Sequence, residues 1–299
     1  MMKVALIGLG SVGRGVAGMI AKKDLGITIT GIADSQSGCM DPDGLDIASL
    51  LARKTGKGYC GDKKISASDV IRKADYDALI EVTPTNALTG EPAIGYIKAA
   101  LLGKKHVVTS NKGPIALAYK ELRALAAKNG VALRYEATVA GAIPIMHMLE
   151  HGLAGNEILA LYGVLNGTCN YILTRMAAEG LTYEQALMEA REMGYAEADP
   201  TYDVQGIDAA IKLVILANTI WGNGIQLNDI DRTGIDLLTP DALRLAEDEG
   251  CTIRLIAEAI PRKHILRVSP RIIEKNHPLV VEGTLNALTW KRIWQRRLP

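Results

Sequence analysis

The stretch GYAEADPTYDVQGIDAAIKLVILAN (194–218) sets Glu197, Asp199, Asp203 and Asp208 ahead of a single lysine, Lys212, and then turns apolar. Carboxylates and an ammonium gathered there suit either a solvated helix start or a site that grips a small charged molecule. Asp208 and Lys212 are four apart, so on a helix they share a face. A surface ion pair is the ordinary reading of that spacing. The run AAIKLVILANTI, however, is apolar nearly all round and points to a buried helix. A paired lysine on a buried helix is costly unless it has a task, which favours a functional reading.

A second constellation lies near the start. GLGSVG places Gly8, Gly10 and Gly13 in a G-x-G-x-x-G directly after an apolar run and at the opening of a helical pattern. The first glycine permits a tight turn and the second lets a pyrophosphate approach the backbone. The third lets helix and strand pack closely, while the helix start at Ser11 and Val12 attracts phosphate. Asp34, about 20 residues on, ends the second strand pattern, where a carboxylate accepts from the ribose hydroxyls of NAD and repels a 2′-phosphate. No arginine follows in SQSG, but Lys57 in ARKTGKG could reach the same place from a loop. The expected cofactor is NAD or NADP, with Asp34 favouring NAD.

The elements that would position these residues alternate along the first part. Strand patterns at 3–10, 27–34, 77–84, 105–110 and 131–137 are separated by helical ones, including EPAIGYIKAALL and PIALAYKELRALAAKNG. That alternation predicts an α/β fold with a Rossmann-type, doubly wound parallel sheet over residues 1–136. After about residue 140 the rhythm changes. Helical patterns at 142–152, 169–179, 182–192 and 204–220 precede strand-like pieces at 252–260, 264–268 and 279–282. They predict a second, α+β domain over 137–287, with a hinge through 136–150.

The chain has 299 residues, enough for two cores, and a formal net charge of +1 gives no reason to expect nucleic acid or an anionic membrane as partner. Four scattered cysteines form no C-x-x-C, which fits a reducing cytosol. The N-terminus lacks a signal-peptide pattern and no apolar run reaches membrane-spanning length, so a soluble cytoplasmic protein is expected. HMLEH (147–151) matches the inverted zinc-protease pattern, but no further ligand motif follows.

VTSNKGPIA (108–116), EATVAGAIP (136–144), LNGTCNYILT (165–174) and the 194–212 motif together closely resemble homoserine dehydrogenase, in order and over nearly the whole chain. The resemblance implies NAD(P)-dependent interconversion of L-homoserine and L-aspartate 4-semialdehyde by hydride transfer. It implies Glu197 on the amino-acid end of the substrate, Asp203 and Asp208 lining the same pocket, and Thr168 touching substrate. Thr83, Pro84 and Ser110 resemble the residues beside the nicotinamide. Hydride transfer to an aldehyde develops an alkoxide, so a cation or proton donor is needed. Lys212, paired with Asp208, and Lys112, the second family lysine, are the catalytic candidates, and which delivers the proton stays open. EATVAGAIP resembles a monovalent-cation (Na⁺) site made of the Glu136 side chain and the carbonyls of Val139, Gly141 and Ile143. A homodimer through the second domain is also implied.

The resemblance breaks near residue 287. LTWKRIWQRRLP, with Lys291, Arg292, Arg296 and Arg297, reads as an atypical basic tail over 288–299 where the family continues with strand, a glycine-rich turn and a helix. A replaced or shifted reading frame is one explanation, and a natural basic tail is another. No regulatory or fused kinase domain is evident, so feedback control through one is not expected. A cofactor-binding but catalytically impaired homologue, or another amino-acid dehydrogenase, are the alternative readings.

Overall fold

The computed structural model describes residues 1–294 and divides into two compact units, Met1–Ala142 and a second that begins at Ile143. The division falls six residues after the expected one at 136/137, because the strand that ends the first unit is followed by a 3-10 turn, Glu136–Thr138, whose neighbours Tyr135 and Val139 are buried. The basic residues Arg296 and Arg297 lie outside the described residues.

The first unit runs β1 (Met2–Ile7), α1 (Ser11–Lys22), β2 (Ile27–Ala33), β3 (Gly38–Met40), α2 (Ile47–Lys57), α3 (Ala67–Lys73), β4 (Ala78–Glu81), α4 (Ala93–Leu102), β5 (His106–Thr109), α5 (Lys112–Asn129) and β6 (Leu133–Arg134). Its sheet has the order β3-β2-β1-β4-β5-β6, parallel throughout except for the short edge strand β3. The apolar run VALI of β1 is fully buried, as a central parallel strand covered by helices on both sides must be. α1 packs with α2, and α3, α4 and α5 pack in a row. Strand order reverses between β1 and β4, and doubly wound sheets bind ligands at that switch point. The 131–137 pattern yields only two paired residues, since β6 is an edge strand with one neighbour.

The second unit runs α6 (Ile145–His147), β7 (Asn156–Val164), α7 (Gly167–Glu179), α8 (Tyr183–Glu192), α9 (Thr201–Val204), α10 (Ile207–Trp221), β8 (Asp231–Arg232), α11 (Pro240–Asp248), β9 (Cys251–Ile260), β10 (Ile265–Glu274) and β11 (Ala287–Trp294). Its sheet has the order β11-β7-β9-β10-β8 and is antiparallel apart from β8 beside β10. α7, α10 and α11 lean on β9. α10 buries ten residues, from Asp208 to Asn218, which explains its lack of a polar stripe.

Two expectations are corrected here and a third is shortened. The supposed tail from residue 288 begins inside an ordinary strand, Ala287–Trp294, paired with β7 from Ala287↔Val164 to Trp294↔Asn156. Residues 279–282 are not a strand; Leu279 and Val281 instead pack on Val164 and Ile256. The helical pattern at 142–152 is only α6 and a π turn, Met148–Gly152, with the His147 and His151 rings 4.6 Å apart, and no group of three metal-binding side chains occurs among the described residues. No helix among them is long and apolar enough to cross a membrane.

Candidate active site

At the switch point of the first unit lies a cleft of about 900 Å³, lined by Gly8, Gly10, Ser11 and Val12 after β1 and by Thr83, Pro84 and Ser110 after β4 and β5. The three glycines divide the work as their spacing predicts. Gly8 has φ +101°, and a Cβ there would stand 2.6 Å from the Val82 carbonyl oxygen. A Cβ on Gly13 would stand 2.0 Å from the Gly8 carbonyl oxygen, so α1 can sit on the turn only without one. A Cβ on Gly10 would meet nothing within 4 Å: the space above it is open cleft. Gly10 is also the N-cap of α1 and brings no side chain to cap it, so its first-turn N–H groups stay available to an anion. A pyrophosphate fits this cradle.

Asp34 stands at the far end of the cleft with Ser35, Lys54 and Arg14. Its Oδ1 accepts from the N–H groups of Gln36 (2.7 Å) and Ser37 (2.8 Å), and its Oδ2 from Lys54 Nζ at 2.6 Å. Burial works to raise its pKa, but the Lys54 ammonium and the two N–H donors outweigh that and hold it below the ordinary carboxylate value. The lysine that reaches Asp34 is therefore Lys54, whereas Lys57 is exposed in the last turn of α2. One helical turn separates them, and only Lys54 also finds the Gly58 carbonyl (2.7 Å) that holds its ammonium in place.

Behind the cleft floor the sequence reading missed a buried carboxylate. Glu81, at the end of β4, is fully buried and accepts from Thr83 N (2.8 Å), from the Thr83 hydroxyl and from Thr109 Oγ1 (2.7 Å). Asn111 Nδ2 donates to the carbonyls of Thr83 (3.2 Å) and Pro84 (3.4 Å), while its Oδ1 caps α5 by accepting from Gly113 N. These bonds fix the 83–84 turn and the start of α5 together. Lys112 opens α5, two residues beyond Ser110. A cation in the first helical turn opposes the helix dipole at a cost of about 0.3–1 kcal/mol, so its place is not explained by helix stability.

In the second unit the acids and the amine of the 194–212 motif partly converge. Lys212 Nζ lies 2.7 Å from Asp208 Oδ2 and donates to the Leu165 carbonyl at 2.6 Å. The Asp208 side chain is 5% exposed and that of Lys212 13%, so the pair is not a solvated surface bridge. Asn166, which sequence reasoning passed over, donates through Nδ2 to Asp203 Oδ1 (2.6 Å) and to Asp208 Oδ2 (2.9 Å). Burial, and secondarily the neighbouring Asp208, raise the Asp203 carboxyl above its ordinary pKa although Asn166, Thr168 and Lys212 act against them. Thr168 Oγ1 donates to the Tyr195 carbonyl at 2.8 Å and so ties the 194–200 loop to the start of α7. Glu197 is on that loop, two residues from the tie, exposed and without a hydrogen-bond or ion-pair partner among the described residues. The structure thus gathers Asp203, Asp208 and Lys212 around Asn166, and leaves Glu197 facing solvent.

Glu136, Val139 and Gly141 close the first unit, and Ile143 is the first residue of the second. Ala140 (φ +60°) and Gly141 (φ +58°) are both left-handed, which turns successive peptide carbonyls within the stretch EATVAGAI.

Comparison with known proteins gives a consistent result. Residues 8–136 match the family model "Homoserine dehydrogenase, NAD binding domain", and residues 144–294 the model "Homoserine dehydrogenase". A homoserine dehydrogenase of Methanocaldococcus jannaschii is 46% identical over 297 residues, covering 95% of this chain and 88% of its own length. An NAD(+)-dependent homoserine dehydrogenase of Pseudomonas canavaninivorans is 39% identical over 96% of this chain and 87% of its own. Among solved structures, one from Archaeoglobus fulgidus assigned to homoserine dehydrogenase aligns with a TM-score of 0.92 at 45% identity, covering 99% of this chain and 91% of its own. A hyperthermophilic archaeal homoserine dehydrogenase mutant in complex with NADPH aligns at 0.84 and 28% identity, covering 98% and 88%.

Proposed function

The chain belongs to the homoserine dehydrogenase family, an NAD(P)-dependent oxidoreductase family, and from that premise we propose how its residues divide the interconversion of L-homoserine and L-aspartate 4-semialdehyde. The reading rests on the buried Lys212–Asp208 pair, an ammonium that the core holds at two fixed acceptors. The nicotinamide nucleotide, when bound, supplies the hydride acceptor or donor. Its pyrophosphate suits the N–H groups of Ser11 and Val12 over Gly10, and its nicotinamide end suits Thr83, Pro84 and Ser110.

Lys212 has three N–H donors, two of them engaged by Asp208 and Leu165; the third would meet the substrate's reacting oxygen and stabilise the alkoxide that develops there. Lys112 is the second cation of the proposal, and either lysine can carry the proton. Asp203 and Glu197 are assigned to the substrate's ammonium, Glu197 through movement of its exposed loop, and Thr168 to a polar contact beside them. The Asp34–Lys54 pair supports use of NAD and NADP alike: the carboxylate suits a free ribose diol and favours NAD, while Lys54 offsets its repulsion of a 2′-phosphate. A monovalent cation at the Glu136 side chain and the carbonyls of Val139, Gly141 and Ile143 is part of the same proposal, as are a homodimer and a cytoplasmic location.

The test is the absorbance of reduced nicotinamide with L-homoserine and NAD or NADP. Turnover with both, lost in Lys212→Ala, is the expected outcome. Cofactor binding without turnover would instead support an impaired homologue, and turnover only with other amino acids a different dehydrogenase.

A further inference from the structure

The side-chain amide of Asn166 does two things at once. Its Oδ1 accepts from Cys169 N at 2.8 Å and so caps α7. Its Nδ2 donates one proton to Asp203 and the other to Asp208, at 2.6 and 2.9 Å. The assignment of oxygen and nitrogen is fixed by the partners, because the reverse orientation would set an acceptor against two carboxylates and a donor against an N–H. Asn166 itself is 4% exposed.

We propose that Asn166 is a positioning residue for the reaction, holding Asp203 and Asp208 at one spacing so that Lys212 is aimed; this rests on the functional reading above. The buried Asp208 and half-buried Asp203 carboxylates repel one another, and the Lys212 ammonium forms its ion pair with Asp208. The planar NH₂ group bridges them and keeps both within hydrogen-bond length of one nitrogen. Asp208 Oδ2 accepts from Asn166 and Lys212 together, so a shift of the amide moves the carboxylate that orients the ammonium. The other acceptor of Lys212, the Leu165 carbonyl, belongs to the preceding residue of the same turn. One two-residue segment therefore supplies a backbone acceptor for the lysine and a side-chain donor for its carboxylate. A helix cap alone needs only the oxygen.

That difference makes the test. Asn166→Ser retains a good N-cap but cannot bridge both carboxylates, and Asn166→Asp retains the cap oxygen while removing both donors. Both variants are to be assayed for L-homoserine oxidation across pH, with thermal unfolding measured alongside. We expect kcat to fall roughly 100-fold, as a misplaced reacting group does, with cofactor KM unchanged and Asn166→Ser still melting cooperatively above the assay temperature. The acid limb of the kcat/KM profile should move to higher pH, because Asn166 is a donor that works to lower the Asp203 carboxyl. Wild-type kcat and pH profile in both variants would overturn the proposal and leave Asn166 as a cap. Absence of turnover in the wild-type protein would sink the functional reading and this proposal with it.

Discussion

Lys212 is a cation that a buried helix tolerates only through its partners. Removing one member of such a pair strands the other, at a cost of about 3–5 kcal/mol, whereas replacing both with neutral groups of similar shape is close to neutral. Lys212→Met should therefore lose both activity and stability, since Asp208 keeps its Asn166 donor but loses the Lys212 ion pair. Adding Asp208→Asn should return most of the stability and none of the turnover. Chemical unfolding of the two single variants and the double, set beside their kcat values, reads both halves; recovery of activity in the double variant would deny Lys212 its role. At this scale much was legible. The four-residue spacing of Asp208 and Lys212 put them on one face, and the apolar run behind them showed that the face is buried. Asn166 was not, because Asn before Gly-Thr looks like any helix cap, and its two carboxylates stand 37 and 42 positions away. Lys54 was missed for a related reason: α2 is amphipathic, with Ile47 and Leu50 buried, but Lys54 and Lys57 stand four and seven residues after Leu50, so the pattern puts both near the same face and does not choose between them.

At the scale of elements, the strand β1, its turn and α1 make one unit whose glycines have separable tasks. Gly10→Ala adds a methyl into open cleft and should leave thermal unfolding unchanged, while weakening dinucleotide binding more than ten-fold, about 1.4 kcal/mol. Gly13→Ala drives a Cβ onto the Gly8 carbonyl and should lower both stability and binding. Calorimetric titration with NAD, paired with melting curves, distinguishes the two; equal effects in both variants would mean that the glycines act as one packing motif. The elements of the first unit were readable because each strand is a short apolar run closed by a turn. In the second unit β7 and β11 escaped. Their pairing joins residues some 130 apart, and β11, with Lys291 and Arg292 in a single run, has the composition of a solvated tail until its partner supplies the ladder. PLVV (278–281) erred in the opposite direction: it is apolar because it covers a sheet face, with no strand edge to join.

Over the whole molecule, the four thiols sample both units. Cys39 and Cys60 belong to the first, Cys169 and Cys251 to the second; Cys60 and Cys169 are buried and the others half-buried. Cys60 hydrogen-bonds with Ser37, whose N–H and hydroxyl hold Asp34, so it lies behind the Asp34 end of the cleft. Cys169 Sγ donates to the Asp203 carbonyl at 3.1 Å, beneath the acid cluster. Burial pushes the Cys60 thiol up, against the Ser37 hydrogen bond, and pushes that of Cys169 up further with help from Asp203 and Asp208. A thiol must ionise to react, so both should stay protonated and slow in the folded protein at pH 8. A disulfide reagent should therefore titrate two thiols quickly, Cys39 and Cys251, and the remaining two only as the chain opens. NAD should slow Cys60 further, because ligand binding suppresses the opening that exposes it, and should leave Cys251 unaffected. Mass mapping of the labelled cysteines gives the order directly. Fast labelling of Cys169 in the folded protein would mean that the ground beneath Asp203 is open to solvent, and the buried cluster on which Lys212 depends could not then hold its charge in place.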